Sequence, residues 1–252
     1  MIDPAVLRQI IESLDPAGPP RALFVRRAPG GISGAAEPRA GAAGGRLGVL
    51  SASFDPLTAA HARLVALARE RCGLDEVMLL LTRVNVDKST GIDDLVLRVE
   101  MLLTYAERRT ECSVALCSHG RFVDKAAALR PCYPAQTARW FVMGYDTLVR
   151  LFDPRYYADR DADLGRLFAT SRVLAANRGS PGEAEVRALL SRPENRAFAD
   201  GVDYVPLDAW HARISATEVR WRVARGESIA DLVPEEIAVF IEARGLYRGE
   251  QE

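Results

Sequence analysis

The stretch "GVLSASFDPLTAAHARLVALA", residues 48–68, decides how the chain is read. An apolar run ends in the small residues Ser51, Ala52 and Ser53, passes through Phe54-Asp55-Pro56, and turns at Thr58 into a helical pattern carrying His61. A strand running straight into a helix opens an alternating α/β unit. Small residues let a ligand approach the backbone. Pro56 stiffens the loop, and Thr58 is a good N-cap that sets His61 in the first turn. Helix N-termini attract anions, and a histidine there can donate to a phosphate oxygen. The same residues also fit a plain capped helix with a surface histidine.

Working outward, the alternation continues. Apolar runs at Leu47–Ser51, Val77–Leu81, Ser113–Cys117, Trp140–Met143, Arg172–Ala176 and Tyr204–Leu207 are separated by helical patterns at 59–71, 93–109, 124–130, 146–152 and 183–191. That order predicts a Rossmann-like, doubly wound parallel sheet with helices on both faces. Unbroken runs such as "VMLLL" suit strands buried on both sides. Residues 215–247 read as two C-terminal helices. Ligands in such sheets bind beyond the carboxyl ends of the strands, which points to 51–61, 82–91, 117–124, 144–153, 177–181 and 208–217. Upstream, 5–14 has helical periodicity and 22–25 (ALFV) is a short apolar run. Residues 28–45, rich in Gly, Pro and Ala, read as a mobile linker or surface loop, and "GGISGAAEPRAGAAGG" lacks the Lys-Ser/Thr and preceding strand of a P-loop. The expected division is an N-terminal helix and Gly/Ala/Pro-rich segment, 1–45, followed by a domain at 46–248.

Bulk composition narrows the classes. The 252 residues are 48% hydrophobic and 27% charged, enough for a sizeable core. A net charge of −1 gives no support for a nucleic-acid or acidic-lipid surface. No run approaches the roughly 18 consecutive apolar residues of a membrane span. The four cysteines form no Cys-x-x-Cys pair and there are three histidines, so no metal site is expected. Without a secretory signal, reduced thiols and a cytoplasmic location are the expectation.

Two further constellations carry chemistry. In "RISATEVRWRVARGESIADLVP", 213–234, Ser215 and Glu218 have capping-box spacing, which exposes N–H groups at a helix start and brings Arg220 within reach of the same anion. An ordinary cap with exposed arginines fits equally. In "RWFVMGYDTLVRLFDPRYY", 139–157, a strand ends at Gly144 and Asp146 follows. That carboxylate could accept from ribose hydroxyls or simply cap a helix. There is no Gly-x-Gly-x-x-Gly after the first strand and no Gly-x-Ser-x-Gly elbow.

In this order, the pieces resemble the nucleotidyltransferases with a (His/Thr)-x-x-His signature, and within them the nicotinamide/nicotinate mononucleotide adenylyltransferases. That family's Gly-Ser-Phe-(Asn/Asp)-Pro-x-(His/Thr)-x-x-His reads here as Ala52-Ser53-Phe54-Asp55-Pro56-Leu57-Thr58-Ala59-Ala60-His61. Its Gly-x-Asp reads Gly144-Tyr145-Asp146, and its Ile-Ser-Ser-Thr-x-x-Arg reads Ile214-Ser215-Ala216-Thr217-Glu218-Val219-Arg220. The family's tail is echoed by Gly226, Ser228, Ile229, Leu232, Val233, Pro234, Phe240, Ile241, Leu246 and Tyr247. Thr58, "NVDKS" at 85–89 and "GYDTLVRLFDPRYY" are similar to a fungal-type branch. Ala52 stands for the usual Gly and Ala216 for a Ser. The family's ring-sandwiching tryptophans are not in register, and Phe122, Tyr156 and Tyr157 lie in the nearest regions.

The resemblance implies adenylyl transfer from ATP to nicotinamide mononucleotide, with the nicotinate form second, giving a dinucleotide and pyrophosphate. It implies that His61 and Arg220 act on the phosphates. Ala52, Ser53, Phe54, Thr58, Gly144, Asp146, Ser215, Thr217, Glu218 and Val219 would complete the ATP site. Lys88, Phe122 and Tyr157 would meet the mononucleotide. Mg²⁺ would ride on the ATP phosphates without its own carboxylate cage. Partners would be the two nucleotides, with no nucleic acid or membrane, and homo-oligomerisation stays open. The competing readings are a related nucleotidyltransferase with another phosphate acceptor, or a nucleotide-binding regulator without turnover.

Overall fold

The structure is a computed structural model and describes residues 2–34, 44–84, 91–177, 179 and 182–249. In chain order its elements are α1 (Pro4–Glu12), β1 (Ala22–Arg26), β2 (Arg46–Ser51), α2 (Ala59–Cys72), β3 (Glu76–Thr82), α3 (Ile92–Glu107) and β4 (Cys112–Cys117). There follow α4 (Phe122–Leu129), β5 (Ala138–Gly144), α5 (Tyr145–Phe152), α6 (Arg160–Phe168), β6 (Arg172–Ala176) and α7 (Glu183–Ser191). The chain closes with β7 (Val202–Val205), α8 (Ala209–Arg213), α9 (Ala216–Ala224) and α10 (Glu235–Arg244).

The seven strands form one sheet in the order β1-β4-β3-β2-β5-β6-β7. From β4 to β7 the neighbours are parallel, and β1 is antiparallel on β4. The sheet is thus an α/β, Rossmann-like arrangement with one antiparallel edge. Side-chain alternation on the strands builds a core on each face. Val77, Leu79 and Leu81 of β3 join a core with α1, α2, α3, α9 and α10. Met78 and Leu80 join the opposite core, with α4 to α7. Gly48 lets α2's end come close, since a Cβ there would meet Leu74 Cδ1 at 2.4 Å.

The winding of the sheet reverses at β2. β3 and β4 are laid down on one side of it and β5, β6 and β7 on the other. The covering helices change face at the same point. A crevice opens where the strand order reverses, outside the carboxyl ends of β2 and β5.

The N-terminal segment takes part in this body. The run at 22–25, which the alternation left out of the sheet, becomes its edge strand β1. Leu7, Ile11 and Leu14 are buried in the same core as α3. Within the stretch read as a loop, Ser33 is buried. Its N–H and hydroxyl donate to the Glu76 carboxylate at 2.7 and 2.8 Å, which also accepts from Ser113 and Tyr133 hydroxyls at 2.6 Å each. Four donors compensate the burial of that charge. Residues 35–43 of the expected linker lie outside the described residues.

Candidate active site

The loop after β2 is shaped by its own residues. Phe54 has φ +44° and the Asp55–Pro56 peptide is cis. A left-handed phenylalanine is uncommon. Here its ring is buried and lies 5.3 Å from the His61 ring. Thr58 caps α2 reciprocally: its hydroxyl accepts from the His61 N–H, and His61 Nδ1 accepts from the Thr58 N–H at 3.0 Å. The imidazole does the work usually given to Glu or Gln in a capping box. One ring nitrogen is thereby committed to the backbone, and the ring orientation is set.

The predicted capping box at Ser215 is only half formed. Ser215 Oγ accepts from the Glu218 N–H at 3.1 Å. The Glu218 carboxylate turns along the helix to Arg222 at 2.8 Å instead of back to the cap. An arginine one turn on offers a stronger, charge-assisted partner than a neutral N–H.

Asp55 gathers distant parts of the chain. Arg220 donates to its carbonyl at 2.7 Å and lies 3.5 Å from its carboxylate. Arg98 lies 3.2 Å from the carboxylate and donates to the Ser53 carbonyl at 3.1 Å. Tyr247 donates to Asp55 Oδ1 at 3.0 Å, and burial beside that carboxylate pushes its phenol well above the ordinary range. The Ala59 N–H donates to the Leu232 carbonyl at 2.8 Å. Two of the three motifs and the tail therefore meet at one loop. Asp55 as their hub was not singled out in the sequence, although it sits inside the quoted motif.

Two clefts open at the carboxyl end of β2. The first is lined by Ser51, Ala52, Ser53, Thr82, Phe122, Lys125 and Tyr157, among others, and has a volume of about 210 Å³. The second is lined by Ser51, Ala52, Thr58, His61, Gly144, Ile214 and Ala216, with Asn177 and His211. Ser51, Ala52 and Thr147 border both. His61 and the α9 start thus share a cleft although far apart in sequence.

Not every expected residue faces these spaces. Phe54 is buried behind His61 rather than presented to a ligand. Asp146 is exposed in the first turn of α5 and borders neither cleft; the N-cap there is Gly144, so the capping alternative also fails. Thr217 is exposed, Val219 is buried and Glu218 is paired with Arg222; none of the three borders a cleft. Arg220 is held on the loop by Asp55, outside both linings. Lys88 lies outside the described residues.

Phe122 and Tyr157, placed together on sequence grounds, do share the first cleft. Phe122 sits against Phe141 at 5.3 Å in an edge contact, and the Lys125 ammonium lies 4.3 Å from its ring centre. The Tyr157 hydroxyl donates to the Leu151 carbonyl at 2.6 Å, and burial pushes its pKa up to about 12. Arg121 also lines this cleft, engaged by Asp124 at 2.8 Å and Asp163 at 3.0 Å. Sequence reasoning missed Lys125, whose signal was a single charge in the otherwise apolar "FVDKAAAL".

Hydroxyls, imidazoles and cations dominate the polar lining, which suits phosphate and carboxylate oxygens. Among the described residues no group of three or more His, Cys, Asp or Glu could hold a metal ion. Among them too, no helix is long and apolar enough to cross a membrane.

Comparison with known proteins agrees with this fold. The model of the cytidylyltransferase-like family matches residues 49–222. A Gloeobacter violaceus protein described as a "Probable nicotinate-nucleotide adenylyltransferase" is 28% identical over 214 residues, covering 81% of this chain and 97% of its own. A Moorella thermoacetica protein of the same description is 27% identical over 219 residues, covering 81% and 92%. Among solved structures, a Plasmodium falciparum nicotinic acid mononucleotide adenylyltransferase complexed with NaAD superposes with a TM-score of 0.60. It has 16% identity and covers 81% of this chain and 97% of that one, a likeness of fold. These sequence relatives are bacterial and lend no support to a fungal-type branch.

Proposed function

The chain belongs to the cytidylyltransferase-like family, and from that premise we propose that it transfers the adenylyl group of ATP to a pyridine mononucleotide, releasing pyrophosphate. The observation that carries the reading is the pair of clefts meeting at Ser51, Ala52 and Thr147. A two-substrate transfer needs two sites with one junction, where the reacting atoms meet. ATP takes the second cleft, beside Thr58 and His61, and the acceptor takes the first. The names of the bacterial relatives favour the nicotinate form of the acceptor over the nicotinamide form expected from Thr58 and the tail.

A phosphate oxygen of the acceptor attacks the α-phosphorus of ATP. The bond from that phosphorus to the bridging oxygen breaks, and pyrophosphate carries the electron pair away. The nucleophile is already an anion at neutral pH, so the protein's contribution is positioning and charge stabilisation. His61, oriented by its Nδ1 bond to the Thr58 N–H, directs its other ring nitrogen to the phosphates. Arg220 holds the loop through Asp55 in this structure, and transfer of its guanidinium to the leaving pyrophosphate is its proposed role. Mg²⁺ enters on the ATP phosphates as part of that substrate. The reading places the enzyme in the cytoplasm, where both nucleotides are found.

The test is pyrophosphate release from Mg-ATP with nicotinate mononucleotide, nicotinamide mononucleotide and non-pyridine phosphate acceptors. Release confined to a pyridine mononucleotide is expected. Release only with another acceptor would keep the adenylyl chemistry and overturn the acceptor. No release with any, from folded protein that still binds ATP, would favour a regulator.

A further inference from the structure

Of 33 basic side chains only two are lysines, Lys88 and Lys125. The surface is charged by arginine, so a lysine in a helix of the core is a departure. Lys125 is 5% exposed yet borders the acceptor cleft. Its ammonium makes no hydrogen bond or ion pair with a described residue; it lies 4.3 Å from the Phe122 ring centre, with the Asp124 carboxylate near enough only for a longer-range attraction. Burying an ammonium without a carboxylate or carbonyl partner is unfavourable by several kcal/mol. Its neighbour Arg121, by contrast, is already satisfied by Asp124 and Asp163. Among the described residues, the cleft therefore holds one buried cation with donors to spare.

Position says which part of the acceptor meets it. Ser51, Ala52 and Thr147 border both clefts, so the reacting phosphate belongs there. Lys125 borders only the first cleft. The group reaching it is the end of the acceptor remote from the phosphate, which in a pyridine mononucleotide is the ring and its substituent. We propose that Lys125 is the specificity-determining residue of this cleft: its ammonium receives the ring carboxylate of nicotinate mononucleotide and discriminates against the neutral amide of the nicotinamide form. The inference rests on the pyridine-nucleotide reading above. The ion pair forms inside a shielded site, where a charged hydrogen bond is stronger than at the surface. An amide can offer only a neutral oxygen and leaves the ammonium uncompensated.

The experiment titrates nicotinate mononucleotide and nicotinamide mononucleotide separately into wild type, Lys125→Met and Lys125→Gln, without ATP, by calorimetry. Wild type should prefer the acid by about tenfold or more, as expected for one charge-assisted hydrogen bond. Both variants should bring the ratio near unity, chiefly by losing affinity for the acid. Melting curves control for folding, and Lys125→Met, which removes a buried unpaired charge, should melt no lower than wild type. A folded variant that keeps the acid-to-amide ratio overturns the proposal. So does an equal loss for both nucleotides, which would place the ammonium on the shared phosphate or in a structural role. Failure of wild type to bind or adenylylate either nucleotide removes the premise and the proposal together. Adenylylation of both with an unchanged ratio in the variants removes the proposal alone.

Discussion

His61 serves the backbone and the cleft at once. Its Nδ1 accepts the Thr58 N–H, so truncation removes half of a helix cap as well as a side chain bordering the cleft proposed for ATP. The reciprocal cap ties stability to this first-turn side chain. His61→Ala should lower pyrophosphate release by about 10²–10³, the usual loss for one transition-state donor, and should also cost about 1 kcal/mol of stability. His61→Gln keeps the capping-box chemistry and should restore the melting temperature without restoring turnover. Turnover near wild type in folded His61→Ala would reduce the motif to a capped helix. Lys125 carries the complementary signature. Burial lowers its pKa from 10.5 to about 8, against the opposing pull of Cys117 and Asp124. Below about 8 folded and unfolded chains both hold the proton, and the folded chain bears the full cost. Between about 8 and 10.5 the folded chain has released the proton while the unfolded chain keeps it, so stability rises with pH across that window. The full rise is on the order of 3 kcal/mol. Denaturant midpoints from pH 7 to 10.5 should show this rise in wild type and a smaller one in Lys125→Met; parallel profiles would mean that the ammonium is not truly desolvated.

At the scale of elements, the strands that were legible were those buried on both faces. Val77–Leu81 predicted from apolar continuity becomes β3, Glu76–Thr82, because an uninterrupted apolar run has no other stable place in an α/β body. The edges were harder. β1 is half-buried along its whole length and shows no alternation. β7 ends at Val205, short of the predicted Leu207, whose N–H is instead taken by the Asn177 side chain at 2.5 Å. Helix α6 was not foreseen, its sequence being rich in charge. The site motifs were legible because their residues are contiguous; Asp55 as hub and Lys125 in the cleft depend on contacts between distant elements. Helix α1 was recognised by periodicity, but its place was not. Ile11 is fully buried in the core shared with α3, which makes the N-terminal helix part of the cooperative unit. Ile11→Ala should therefore destabilise the whole protein by about 2–5 kcal/mol, read as a shift of a single denaturant transition. An unchanged midpoint, or a separate early transition, would mean that α1 is an appendage to the sheet.

At the scale of the molecule, the two clefts proposed for ATP and acceptor lie on either side of the β2 tip. His61 lies on the α2 side of the β2 tip and Lys125 on the α4 side, each bordering one cleft. They border different clefts, so their effects should combine as independent events. His61 and Arg220 are differently related. The His61 ring rests on Phe54 and the Arg220 guanidinium on Asp55, consecutive residues of one loop. Disturbing either side chain disturbs the support of the other, and both are proposed to act on the same phosphates. Pyrophosphate release with nicotinate mononucleotide should then give two different cycles. His61→Ala with Arg220→Ala should lose less than the product of the two single losses, because the first substitution already removes much of what the second would. His61→Ala with Lys125→Met should lose the product to within about twofold, the usual tolerance for uncoupled sites. The reverse pattern, coupling across the sheet and independence along the loop, would mean that the two clefts are not separate seats for ATP and acceptor.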